Sequence, residues 1–147
     1  MRKQTKFFGE IEIEEHLVWN FPKGIPGFEE EKEFALLPLE GNELFSILQS
    51  LKTKNVAFIV SNPFNMVSDY TFDLDEATIQ ALEIEKEGDV MVLGVLTVRD
   101  PFEQTTINLQ APLIFNVRKK KAKQMILNDE KYGIRQPAIM SVDAKEG

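Results

Sequence analysis

Short apolar runs, cut at close intervals by turn-forming residues, constrain this chain more than any other feature. Residues 33–39, 45–51 and 56–61 each have the length of a strand and are separated by Gly41-Asn42 and Lys54-Asn55. Turns this short join antiparallel neighbours, so the pattern predicts an all-β sandwich or barrel. Upstream, residues 8–14 alternate, with Ile11 and Ile13 on one face and Glu10, Glu12 and Glu14 on the other. A period of two describes a half-buried strand, and 17–21 is its expected hairpin partner. FPKGIPGF at 21–28 predicts a loop, because glycine admits positive φ and proline donates no hydrogen bond.

One segment leaves the β pattern. In 73–82, Leu74, Ala77, Thr78, Ala81 and Leu82 recur at helical spacing, which predicts one short helix near 75–82. Asp73 with Glu76 has the form of a capping box, and Asp75 is an alternative cap. Either places negative charge at the positive end of the helix dipole. The run 90–99 is the most apolar in the chain, which implies a strand buried on both faces and ended by Asp100-Pro101. Stretches 106–110 and 113–118 flank Ala111-Pro112 and read as one bent strand, since proline inside a strand marks an edge or a bulge. Residues 119–122 are the expected next turn and 123–127 the closing strand. After about 129 the pattern dissolves into a polar tail. The fold class is therefore mainly β: a single antiparallel barrel-like domain spanning 1–147, with one helix.

Length and charge narrow the function. A chain of 147 residues buries enough surface for a core without staples, and it holds no cysteine, which removes disulfides, thiolate catalysis and cysteine-bound zinc. The net charge of −7 repels phosphate backbones and favours encounter with a basic partner. The apolar run at 90–98 is far shorter than the roughly 20 residues a membrane helix needs. No apolar stretch of signal-peptide length follows the N-terminus, so a cytoplasmic location is expected.

Catalytic signatures are scarce. His16 is the only histidine, and it lies in a run of glutamates that reads as solvated surface. A serine triad would have to use it, and a metal site would lack a second imidazole. Neither GxxxxGK[ST] nor GxGxxG occurs. Carboxylates are numerous, but an acid/base pair needs an apolar pocket that raises one pKa, and these lie in predicted loops. Asp69, Asp73 and Asp75 do not meet the EF-hand spacing. The basic run Arg118-Lys119-Lys120-Lys121 reads as a solvated turn, since no aromatics interleave with it for stacking on nucleic acid.

What remains is a set of apolar residues in loops. Phe64, Met66, Val67, Tyr70 and Phe72 lie between a strand and the helix, and Phe102 follows Asp100-Pro101. Such residues either cap the ends of a barrel or anchor a partner, and neither role excludes the other.

The chain resembles the flagellar assembly factor FliW family. The matching stretches are GIPGFEEEKEFALLPLE at 24–40, FSILQSLKTKNVAFIVSNPF at 45–64, DYTFDL at 69–74, EIEKEGDVMVLGVLTV at 83–98, PFEQTTINLQAPLIFN at 101–116 and KQMILND at 123–129. They follow one another over nearly the whole chain, and the resemblance departs at Ala122, where the family's hairpin turn suggests glycine. It implies a β-barrel-like fold and a regulatory role without catalysis or cofactor. The implied partners are CsrA, a small RNA-binding translational repressor of flagellin mRNA, and flagellin, which competes for the factor. The contact surface expected for them comprises the loops 64–72 and 100–106, with Phe64, Met66, Asp69, Tyr70, Phe72, Phe102 and Glu103 as its residues. Two other classes compete: a small barrel enzyme or flavin-binding split-barrel protein, and a flagellin chaperone that does not touch the repressor.

Overall fold

Apolar residues on both faces of the central strands decide how this chain folds, because each face must be covered. The computed structural model describes residues 1–99 and 102–138, without the side chain of Phe102. Its strands are β1 (Arg2–Thr5), β2 (Gly9–Glu12), β3 (Val18–Asn20), β4 (Glu33–Pro38), β5 (Phe45–Ser50) and β6 (Ala57–Ser61). After helix α1 (Glu76–Ala81) come β7 (Val90–Thr97), β8 (Thr106–Ile107), β9 (Leu113–Asn116), β10 (Lys121–Gln124) and β11 (Gln136–Pro137). The order β7-β6-β5-β4-β3-β10-β9 returns to β7 through a ladder from Val90↔Asn116 to Leu93↔Leu113, giving a closed seven-stranded barrel. Closure removes the exposed edges that an open sheet would present. All its pairings are antiparallel except the single parallel contact of Lys121 with Asn20.

The barrel interior is filled by Trp19, Phe21, Phe34, Leu48, Val60, Leu113, Phe115 and Ala122. Phe21 meets Phe34 and Phe115 edge-on at 5.0 and 5.9 Å, and Trp19 meets Phe115 at 4.9 Å. Edge-to-face pairs of this kind add about 0.5–1.5 kcal/mol each beyond area burial. Two covers protect the outside. The β1–β2 hairpin and Ile13 pack on Ala35, Leu37 and Ile47. On the other side, Tyr70, Leu82, Met125, Leu127 and Tyr132 pack on Leu96, Ile107 and Ile114. This second cover is why β7 reads as a continuous apolar run: alternate residues face the interior and the cover.

Several expectations need correction. The strand around Ile11 pairs with Arg2–Thr5, a polar segment without alternation, and not with 17–21. Val18–Asn20 instead joins β4 and β10 and so closes the barrel. The turn before β10 comprises residues 117–120, with Lys120 in the left-handed region at φ 57°. Ala122 is thus a fully buried strand residue facing the interior, and no glycine is required there. Residues 130–138 are not a detached tail: Tyr132 is buried and β11 pairs with β8. The expectations for Asp100-Pro101 and for 139–147 lie outside the described residues.

The predicted bend between 106–110 and 113–118 is present and explains one side of β7. β8 and β9 pair in succession with the same edge of that strand. From Leu96↔Ile107 an unbroken ladder would set Gln110 opposite Leu93, but Leu113 stands there. The excursion at 108–112 is held by Asn108, whose Oδ1 accepts from the amides of Gln110 and Ala111 at 3.0 and 3.1 Å.

Candidate partner-binding groove

Beside the second cover lies an open groove of about 610 Å³. Its floor is Val90 and Val92 on the outer face of β7, one wall is Phe64, Phe72 and Leu74, and the other is Ile79 and Ile84. Asp73, Glu85 and Glu87 line the rim, with Lys86 the cation among them. An apolar trough with an acidic margin is suited to recognition and not to bond-making.

Each wall is built locally. Asn62 accepts from the Phe64 amide at 2.8 Å and caps the 3-10 turn Pro63–Asn65, which places Phe64 at the lip with 41% of its surface exposed. Beneath it Tyr70 is buried. Its ring lies 5.5 Å from Phe64, 5.2 Å from Phe72 and 4.7 Å from Tyr132. Its hydroxyl donates to the Leu109 carbonyl at 2.6 Å, and burial, followed by the neighbouring Tyr132, pushes its pKa up. The Tyr132 hydroxyl closes both backbone groups of Thr71, accepting from the amide at 2.9 Å and donating to the carbonyl at 3.0 Å.

The opposite wall starts at α1. Asp75 is the N-cap, accepting from the Thr78 amide at 2.7 Å. Thr78, through its side chain and its amide, holds the Asp75 carboxyl below the usual carboxylate range, although its buried hydroxyl reaches no well-formed hydrogen bond. Past Leu82, Glu83 turns the chain at φ 55°. Asn116, only 1% exposed, locks that turn by donating to the carbonyls of Leu82 at 2.7 Å and Glu83 at 3.2 Å. Its Oδ1 accepts from the amides of Arg118 and Lys119 at 3.0 and 3.2 Å. The basic run is drawn onto the same segment. Arg118 pairs with Glu85 at 2.9 Å and reaches Asp89 at 3.5 Å, Lys121 and Lys119 meet Glu83, and Lys120 stacks over Trp19 at 4.1 Å. Hydrogen bonding and charge from Lys121, with Lys119, lower the Glu83 pKa. The turn at 117–120 is solvated, as expected, and its cations also meet partners within the chain.

The groove gathers part of the surface expected from sequence. Phe64 and Phe72 line it. Met66 is half-buried against the outer core, and Asp69 is exposed. Tyr70 departs from expectation: it supports the two phenylalanines from below and presents almost no surface. The second loop is not part of the groove. Exposed Glu103 lies in the turn Phe102–Gln104, beyond the C-terminal end of β7, whereas the floor is at the N-terminal end. At a strand rise of about 3.3 Å, five residues from Val92 to Thr97 separate them by roughly 16 Å. Sequence reasoning missed Leu74, Ile79, Ile84, Val90 and Val92. The signal for Ile79 and Ile84, apolar residues bracketing a helix end, was present but ambiguous.

Among the described residues, no group of His, Cys, Asp or Glu is arranged to hold a metal ion, and no helix is long and apolar enough to cross a membrane. A family model described as FliW protein matches residues 2–139. The chain belongs to the FliW family. The flagellar assembly factor FliW of Oceanobacillus iheyensis is 41% identical over 147 residues, covering 100% of this chain and 99% of that protein. The Bacillus licheniformis factor of the same name is 48% identical over 134 residues, with 91% and 94% covered. A crystal structure of the flagellar assembly factor FliW superposes with a TM-score of 0.89 at 44% identity, covering 95% of this chain and 97% of that one. The FliW fold is thus the barrel described above.

Proposed function

We propose that this FliW-family protein is a cytoplasmic, non-catalytic regulator that binds CsrA and relieves its repression of flagellin mRNA, with flagellin as the competing partner. Family membership over residues 2–139 supports the flagellar role. The observation that carries the binding mode is the groove: an apolar trough with an acidic rim on a chain of net charge −7. RNA-binding proteins carry cationic surfaces, so the long-range field accelerates encounter, while apolar contacts supply selectivity. Alternation between two partners needs only mass action if they exclude each other.

The packing of the barrel interior weighs against an enzyme that would need an internal pocket. Trp19, Phe21, Phe34 and Phe115 fill the barrel interior where a barrel-mouth pocket would lie. Calorimetric titration with purified CsrA and with flagellin, singly and in competition, tests the proposal. We expect saturable binding of each and displacement of one by the other. A chain that binds flagellin alone is a chaperone without repressor contact, and one that binds neither refutes the reading.

A further inference from the structure

On the opposite cover from the groove, we infer that the tip of the β1–β2 hairpin and the turn between β5 and β6 together dock an acidic protein segment carrying an apolar side chain. Three observations converge. First, Phe7 is kept in water by its own scaffold. Thr5 Oγ1 accepts from the Phe8 amide at 2.9 Å and donates to the Gly9 carbonyl at 2.7 Å, and the Lys6 amide donates to Gln49 Oε1 at 2.9 Å. Phe8 takes the inward place against Ala35, Leu37 and Ile47, which leaves Phe7 48% exposed. An aromatic ring pinned outward in this way is a pre-formed anchor.

Second, lysines gather around that ring. The buried Gln49 carboxamide, which holds the Lys6 amide, also donates to the Lys54 carbonyl at 3.0 Å and so sets the hairpin tip beside the turn. Lys6, Lys52 and Lys54 are exposed there, and the Lys6 ammonium lies 5.5 Å from the Phe7 ring. The turn leads into an open depression of about 460 Å³ that adds Lys3 and Lys32, together with Glu30, Glu33 and Leu51. Glu30 is paired with Lys52 at 3.6 Å, and buried Glu31 is bonded to the hydroxyls of Ser50 and Thr53. Across the hairpin, Glu10 is held by Arg2 and Gln4. Among the described residues Lys3, Lys6 and Lys54 form no salt bridge. Lys3, Lys6, Lys32, Lys52 and Lys54 therefore outnumber Glu30, Glu31 and Glu33, a cationic pole on a chain of net charge −7. Such a pole selects partners of negative sign.

Third, the pole fits one kind of anion. A single exposed ring cannot stack successive bases, and lysine lacks the planar fork with which arginine grips phosphate. A bilayer would have to receive Glu10 and Glu12 of the same hairpin. An acidic peptide with one apolar residue meets ring and lysines without either cost. The turn is pre-formed for it: Ser50 Oγ accepts from the amides of Lys52 and Thr53 at 3.0 and 3.1 Å, so little ordering is lost on binding.

The test uses the full chain, Phe7→Ala and the double variant Lys6→Glu/Lys54→Glu. These side chains are exposed, the Gln49 contacts use only backbone atoms, and urea midpoints verify that both variants fold. Two labelled peptides, one with phenylalanine and one with serine amid the same glutamates, are titrated by anisotropy beside oligouridylate RNA and phosphatidylserine vesicles. We expect the phenylalanine peptide to bind at least about tenfold tighter than the serine one. Phe7→Ala should weaken it about fivefold or more and the lysine variant about tenfold or more. Raising salt from about 50 to 300 mM should weaken the wild type more than the lysine variant. No binding of the phenylalanine peptide, or equal binding by wild type and both variants, overturns the inference. Tighter binding of the RNA or of the vesicles, lost in the same variants, also overturns it and names a nucleic acid or a membrane instead. Self-association abolished by the lysine variant overturns it in favour of a second copy of this chain. Loss of CsrA or flagellin binding in both variants overturns it by merging this pole with the surface of the proposed function, which itself would stand.

Discussion

Removing the Asn116 side chain isolates the contact that joins the groove wall to the barrel. In Asn116→Ala, the Leu82 carbonyl loses a 2.7 Å donor in a buried setting, and the Glu83 carbonyl loses one at 3.2 Å where water has partial access. A buried orphaned acceptor costs about 1–3 kcal/mol, and a partly solvated one roughly 0.5–1 kcal/mol. The amides of Arg118 and Lys119 belong to exposed turn residues and can turn to water, adding little. The expected loss is therefore about 1.5–4 kcal/mol, measured as a lower urea midpoint with unchanged slope. Asn116→Asp separates the two halves of the contact. It keeps the oxygen that accepts from both turn amides but sets the other carboxylate oxygen against two carbonyls, so it should be at least as destabilising at pH 7. A cost below about 0.5 kcal/mol for Asn116→Ala, or wild-type stability in Asn116→Asp, would refute the assignment of the energy to the helix-end carbonyls.

Tyr70→Phe removes only the hydroxyl bonded to Leu109 and should cost about 1–2 kcal/mol in urea unfolding, with partner affinity retained, since the ring still supports Phe64. At Gly24, with φ +66°, an added Cβ would stand 2.6 Å from the Phe28 carbonyl and 2.7 Å from the Glu29 backbone. Gly27 at φ +90° has open space. Calorimetric melting should therefore show Gly24→Ala losing roughly 3 kcal/mol or more and Gly27→Ala only about 1–2 kcal/mol. Glu83 has a folded pKa below its ordinary value, so its stabilising effect is complete above the unfolded carboxylate pKa and is lost as pH falls through the folded one. Melting temperatures between pH 7 and pH 3 should fall less steeply in Glu83→Gln than in the wild type, and equal slopes would contradict this.

Much of the fold was legible because burial on a sheet writes a two-residue period into sequence. The strands near 33–39, 45–51 and 56–61 and the helix near 75–82 lie where patterning and capping placed them. The β1 segment Arg2–Thr5 was not legible. Its side chains are largely solvated, so it carries no apolar period, and only its pairing with Gly9–Glu12 makes it a strand. Of the site, Phe64 and Phe72 were found from their loop context. Tyr70 was misplaced because a loop residue's depth depends on what packs over it.

Local chemistry in the sequence determined the mainly β class, the position of the single helix, the acidic surface and the aromatic-rich segment beside it. These follow from periodicity, caps and charge, which act over a few residues. Tertiary structure alone decided that Val18–Asn20 meets β10 to close the barrel and that the basic turn is spent on the acidic 83–89 segment. It also decided that Val90 and Val92 become the floor of a groove. Each of those outcomes depends on residues far apart in the chain coming together, and a contact of that kind leaves no period to read.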